Sequence, residues 1–193
     1  MYHLTNIILL SLVQNFKDID LYILKGIYEN RILSLDSTFV FITNTAAVIA
    51  FGVPAILLVI AYINKNTVLR SNALSILLTV ALSAILANIL KYTIDLPRPF
   101  DIYPFILKLT SGGSPTFPSG HTADAFAFAV AAALVFPKWF VIFPCFIWAV
   151  LVGYSRMCLG VHFPSDVLAG ALVGAACAYS YQQVRKRKQV SIE

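Results

Sequence analysis

Three short stretches in the second half of the chain carry the residue types that phosphate chemistry needs. The first runs from Lys91 to Pro99, with Arg98 seven positions after Lys91 and held between Pro97 and Pro99. The second is Pro118-Ser119-Gly120-His121, and the third is Ser155-Arg156 followed by His162 and Asp166. Two of the chain's three histidines fall in these stretches. Arginine offers a planar fork to phosphate oxygens and lysine a mobile point charge. Histidine can attack, or give and take a proton, near neutral pH.

Each fragment alone also has a plainer account. Lys91 can be a snorkelling helix end and Arg98 a loop charge. Ser119 can be a helix cap, with His121 an ordinary interfacial residue. On the chemical reading, the Ser-Gly turn opens a helix whose free N–H groups cradle an anion, and Gly120 lets the backbone come close. His121 there can protonate a leaving oxygen. Asp124, one turn on, either holds His121 protonated or simply suits the helix N-terminus. Asp95, four residues after Lys91, can pair with it. Asp166 can accept the Nδ1 proton of His162 and leave Nε2 bare for attack, or only satisfy helix donors. That last account leaves Arg156 and His162 unexplained at one membrane depth, where ionisable groups are costly.

The elements that must position these residues are membrane spans. The 193 residues are 59% hydrophobic and 12% charged, with mean hydropathy +0.81; soluble chains carry about 25% charged residues. Long apolar runs without short alternating segments point to an all-α integral membrane protein, a bundle of five or six transmembrane helices. Spans are expected over Phe39–Ile63, kinked at Pro54, then Ser71–Thr93, Gly120–Phe136, Trp139–Tyr154 and Pro164–Val184. Residues 1–35 form an N-terminal segment: Ile7–Val13 is too short to span, and Asp18, Asp20, Lys25 and Glu29 among apolar residues suit an interfacial helix. The membrane-embedded domain is 36–184, and 185–193 is a basic tail. Cys145, Cys158 and Cys177 lack metal-ligand spacing and are expected as small core hydrophobes.

Lys65, Arg70, Lys138 and the Arg185–Lys188 cluster all fall on one side of the spans. The positive-inside rule assigns that side to the cytoplasm. The three motifs then meet at the extracytoplasmic face of a multi-pass cytoplasmic (inner) membrane protein. The net charge of +5 rests mostly on the terminal cluster, which makes it a topology signal rather than a nucleic-acid patch. The partners expected are the bilayer and a membrane lipid phosphate, with no nucleic acid and no obligate protein. The loop from Ile94 to Ser119, with five prolines, joins two motifs and is expected to be functional.

Taken in order, K-x6-R-P, P-S-G-H and S-R-x5-H-x3-D resemble the type 2 phosphatidic acid phosphatase superfamily, over about residues 36–184. The resemblance implies that His162 is the nucleophile, forming a phosphohistidine, with Asp166 orienting and charging it. It implies that His121 protonates the leaving oxygen and later activates water. Lys91, Arg98 and Arg156, with Ser119 and Gly120, would bind the phosphate; neither cofactor nor metal is expected. Many relatives carry another basic residue where this chain has Asp95, Leu96 and Phe100, which bears on the grip on a second phosphate. Leu35-Asp36-Ser37 and Arg98-Pro99-Phe100 are similar to undecaprenyl diphosphate phosphatases, making that lipid the first expected substrate. Lipid A, phosphatidylglycerophosphate and phosphatidate phosphatases are alternatives. A non-catalytic lipid-binding or transport protein on the same fold is a reading of a different class, and vanadate-dependent haloperoxidase chemistry a third.

Overall fold

The computed structural model describes the backbone of residues 2–113 and 115–190, and the side chains of 14–113 and 115–187. The Ile7–Val13 run and Lys188 therefore lie outside the described side chains. Every regular element among the described residues is helical. They are α1 (Tyr2–Glu29), a 3-10 turn (Leu33–Leu35), α2 (Asp36–Ile63), α3 (Thr67–Ile94), the short α4 (Pro99–Ile102), α5 (Gly120–Val135), α6 (Trp139–Cys158) and α7 (Pro164–Val190).

Three helical stretches, Leu33–Ile63, Thr67–Ile102 and Trp139–Cys158, are long and apolar enough to cross a membrane. α5 is apolar but has only 16 residues, and α7 is diluted by its acidic start and basic end. The fold is that of an all-α integral membrane protein. On α3, Leu74, Leu78, Leu82, Ile85 and Ile89 are exposed at helical spacing, a stripe suited to lipid rather than water. The opposite stripe, Ala73, Ile76, Val80, Ser83 and Ala87, is buried and runs on in register to Lys91. Periodicity alone thus turns the lysine inward. α6 does the same with Ala149, Val152 and Arg156.

α5 lies at the centre, packed against α2, α3, α6 and α7. Its Ala123, Ala125, Ala127, Ala129 and Ala131 are fully buried, because methyl side chains let neighbouring backbones come close. Gly170 and Gly174 of α7 form a G-x-x-x-G pair within the expected span Pro164–Val184, against the expectation that no such pair falls on a span. A Cβ at Gly170 would collide with the Ser119 carbonyl, and one at Gly174 with the Ala123 carbonyl. The pair is a seam inside the bundle.

At one end, Arg185 donates to Ser71 Oγ (2.9 Å) and Asn72 Oδ1 (2.8 Å). The opposite end collects the end of α3, the starts of α5 and α7, and the end of α6, so the three motifs meet. The Ser119 amide of α5 donates to the Asp166 carbonyl of α7 (3.0 Å), locking the two helix starts together. Phe163, just before α7, has no side-chain oxygen to cap it. Asp20 of α1 fills that role, accepting from the Ser165 amide at 2.9 Å and from its hydroxyl. Pro54 lies inside an unbroken α2. All three cysteines are free, with Cys158 and Cys177 buried.

Candidate active site

A cavity of about 240 Å³ opens at the end where the motifs meet. It is lined by Lys91, Arg98, Gly120, His121, Arg156 and His162, and closed on one side by Ser111, Gly112 and Gly113 of the long loop. Six of the expected site residues therefore share one wall. Asp166 lies behind His162, and Ser119 is fully buried beneath the cavity. The Ser119 hydroxyl is 2.8 Å from Thr122 Oγ1 and makes no cap bond to the backbone.

Asp95 ends α3 in a left-handed conformation (φ 48°) and sends the chain into the extended Leu96–Arg98 segment. The Arg98 amide donates to Asp101 Oδ2 (3.2 Å) at the start of α4. Its side chain then turns into the core, where NH1 donates to the Val161 carbonyl (2.8 Å) and lies 3.3 Å from His162 Nε2. Lys91 Nζ donates to the Pro115 carbonyl (2.7 Å) and, at 3.4 Å, to that of Thr116. Asp95 makes no ion pair with it among the described residues. Arg156 is held by Thr43 Oγ1 of α2 (2.7 Å) and the Ser111 carbonyl (3.1 Å), while its Nε has no hydrogen-bond partner among the described residues.

His162 follows a tight turn at Gly160, whose φ of +71° favours glycine. A Cβ there would also meet Ile106 and the Leu107 carbonyl. The imidazole is 1% exposed. Its Nδ1 is 3.3 Å from Asp166 Oδ2 and 3.2 Å from Thr116 Oγ1. Burial first, and then the charges of Arg156, Arg98 and Lys91, hold its pKa well below the ordinary 6.5. These influences favour the neutral imidazole, the form in which a histidine can act as a nucleophile.

Asp124 makes no hydrogen bond or ion pair with His121 among the described residues, and its Oδ1 is buried without a partner. Thr116, Thr43 and Asp20 join the site or its supports without having been picked out from sequence. Thr43 sits on the buried Thr43, Ala46, Ala50 stripe of α2, which was a readable signal. Nothing marks Thr116 or Asp20 beyond their polarity.

The arrangement can bind a tetrahedral anion among three cations and present a bare imidazole nitrogen to it. Among the described residues no group of three or more His, Cys, Asp and Glu side chains comes together as a metal would need. A second cavity of about 320 Å³ shares Arg98 and Gly113 and adds Asp95 and Asp101; these carboxylates would repel a second phosphate.

The model of the PAP2 superfamily matches residues 72–189, more than half of the chain. An undecaprenyl-diphosphatase from Sulfolobus acidocaldarius is 32% identical over 162 residues, covering 83% of this chain and 75% of that protein. A lipid A 1-phosphatase from Rhizobium johnstonii is 44% identical over 103 residues, 50% of this chain. The match spans only 41% of that relative's length. The crystal structure of a transmembrane PAP2-type phosphatidylglycerolphosphate phosphatase from Bacillus subtilis superposes with a TM-score of 0.78 at 25% identity, covering 97% of this chain and 98% of that one.

Proposed function

The chain belongs to the PAP2 superfamily, and from that premise we propose that it is a metal-independent lipid phosphate phosphatase working through a phosphohistidine. The observation that carries this reading is the buried imidazole of His162, whose Nε2 lies 3.3 Å from the Arg98 guanidinium. A phosphate oxygen held by Arg98 brings phosphorus within reach of that nitrogen.

In the first step the Nε2 lone pair forms an N–P bond as the P–O bond to the lipid breaks. His121 gives its proton to the departing oxygen. Lys91, Arg98 and Arg156, with the Gly120 backbone at the start of α5, stabilise the charge on the equatorial oxygens. His121 then takes a proton from water, whose oxygen attacks phosphorus. The N–P electrons return to Nε2 and phosphate leaves. Asp166 accepts from Nδ1 throughout and fixes the ring. A pocket walled by three cations neutralises the phosphate without a metal ion, which is why the proposed chemistry is metal-free.

Undecaprenyl diphosphate is the substrate we place first, supported by a relative of that activity aligned over most of both chains. Lipid A 1-phosphate is the second reading. It is favoured by the 44% identity to a lipid A 1-phosphatase and by Asp95 and Asp101 beside the phosphate cavity. We assign the site to the extracytoplasmic face of the inner membrane, opposite the basic end, with residues 1–35 as an interfacial segment and 36–184 as the phosphatase domain.

The test is phosphate release in detergent with excess EDTA, ranking kcat/KM for undecaprenyl diphosphate, lipid A and phosphatidylglycerophosphate. Turnover of at least one is expected, and its loss in His162→Ala. Activity lost with EDTA and restored by Mg²⁺ would overturn the metal-free reading. No turnover of any lipid phosphate would favour a binding or transport protein.

A further inference from the structure

Thr116 has no part in the chemistry above, yet all of its polar groups are engaged behind the nucleophile. It is 1% exposed. Its amide donates to the Leu96 carbonyl (2.9 Å) and its own carbonyl accepts from Lys91 Nζ (3.4 Å). Its hydroxyl donates to Asp166 Oδ2 and lies 3.2 Å from His162 Nδ1.

Counting protons makes the arrangement informative. A threonine hydroxyl has one hydrogen, and here it points at the Asp166 carboxylate. Toward Nδ1 the oxygen can therefore offer only lone pairs, and so can Asp166 Oδ2, 3.3 Å from the same nitrogen. Nδ1 must carry a proton. On the far side of the ring, Arg98 NH1 has only hydrogens to offer to Nε2, so that nitrogen must be bare. Both edges of the imidazole specify one tautomer.

Asp166 Oδ2 alone would hold the ring weakly. It already accepts from the Phe163 amide at 2.8 Å, and its contact with Nδ1 is at the long end of hydrogen-bond range. We propose that Thr116 is a positioning residue whose single hydroxyl, shared between Asp166 and His162, fixes the Nδ1–H tautomer and keeps Nε2 bare and aimed at the phosphate. The assignment rests on His162 being the nucleophile. With the proton on Nε2 instead, that nitrogen has no lone pair with which to attack.

The test compares Thr116→Val, nearly isosteric but without the hydroxyl, with Thr116→Ser, which keeps it. Turnover of the best lipid phosphate is measured in detergent for both. Groups that orient an imidazole are worth ~10- to 100-fold. Thr116→Val should lose kcat by that factor with KM within about 3-fold, and Thr116→Ser should recover it. ¹⁵N spectra of histidine-labelled protein, in which only three imidazoles contribute, should show Nδ1 protonated in the parent and a tautomer mixture in Thr116→Val. Should Thr116→Val not fold, Thr116→Ala carries the same comparison.

Wild-type kcat and an unchanged tautomer in the hydroxyl-free variant would overturn the proposal. So would a Thr116→Ser enzyme as impaired as Thr116→Val, since the methyl group would then be what matters. His162→Ala separates the two levels. If it is inactive while Thr116→Val is unaffected, only the role of Thr116 fails; if it turns over normally, the nucleophile reading fails and this proposal with it.

Discussion

At the scale of single residues, the site is a problem of keeping one imidazole neutral beside three cations. Burial and the charges of Arg156, Arg98 and Lys91 all push His162 toward its neutral form. The sign is direct: a pKa lowered from 6.5 leaves the neutral nucleophile present as the pH falls through that value. The acid limb of kcat/KM, which reports the free enzyme, should therefore lie below 6.5 in a pH–rate series. A limb at or above 6.5 would mean that His162 is not the group being titrated. Arg98 has a different task. Its guanidinium reaches the Val161 carbonyl and Nε2 with the same nitrogen, and its planar fork matches the geometry of phosphate oxygens. Arg98→Lys keeps the charge and loses the fork, and should lower kcat/KM by ~10²-fold. Equal rates for the two enzymes would show that charge alone suffices.

At the scale of elements, motifs become a site through helix periodicity. The Ala73-to-Lys91 and Ala149-to-Arg156 stripes deliver a cation from apolar helices without local distortion. These stripes and the helix starts at Gly120 and Pro164 were legible in sequence, because each rests on local spacing. What was not legible depends on long-range approach: Thr116 reaching Asp166 fifty positions away, Asp20 capping α7, and Thr43 holding Arg156. Gly170 and Gly174 stand at a spacing legible in the sequence, although no G-x-x-x-G pair was expected on a span. Gly174→Leu should drive α5 and α7 apart and lower stability by at least about 1–3 kcal/mol, read as thermal unfolding in detergent. An unchanged midpoint would mean the seam is looser than the packing implies. Removing the Asp20 carboxylate (Asp20→Ala) should cost about 1 kcal/mol as a lost helix cap and lower kcat several-fold, because the capped turn carries Asp166. Full stability and full kcat would show that α1 does not support the site.

At the scale of the whole molecule, charge separates the two ends of the bundle. The α2–α3 turn with Lys65, the α5–α6 turn with Lys138 and the basic end of α7 lie away from the cavity that the three motifs line, as the helix order and the Arg185 bonds to Ser71 and Asn72 show. On the proposed orientation, an impermeant maleimide should label Leu107→Cys in intact cells of a cysteine-free background, and Asn64→Cys only after permeabilisation. The reverse pattern would invert the topology while leaving the chemistry intact. The proposed chemistry rests on a covalent bond between His162 and the substrate's phosphorus. The measurement that meets it most directly is acid-free quenching of the enzyme during turnover of a ³²P-labelled lipid phosphate. An acid-labile, base-stable phosphoenzyme is expected on the peptide containing His162, absent in His162→Ala. Label on another residue, or normal turnover by His162→Ala with no phosphoenzyme, would contradict it.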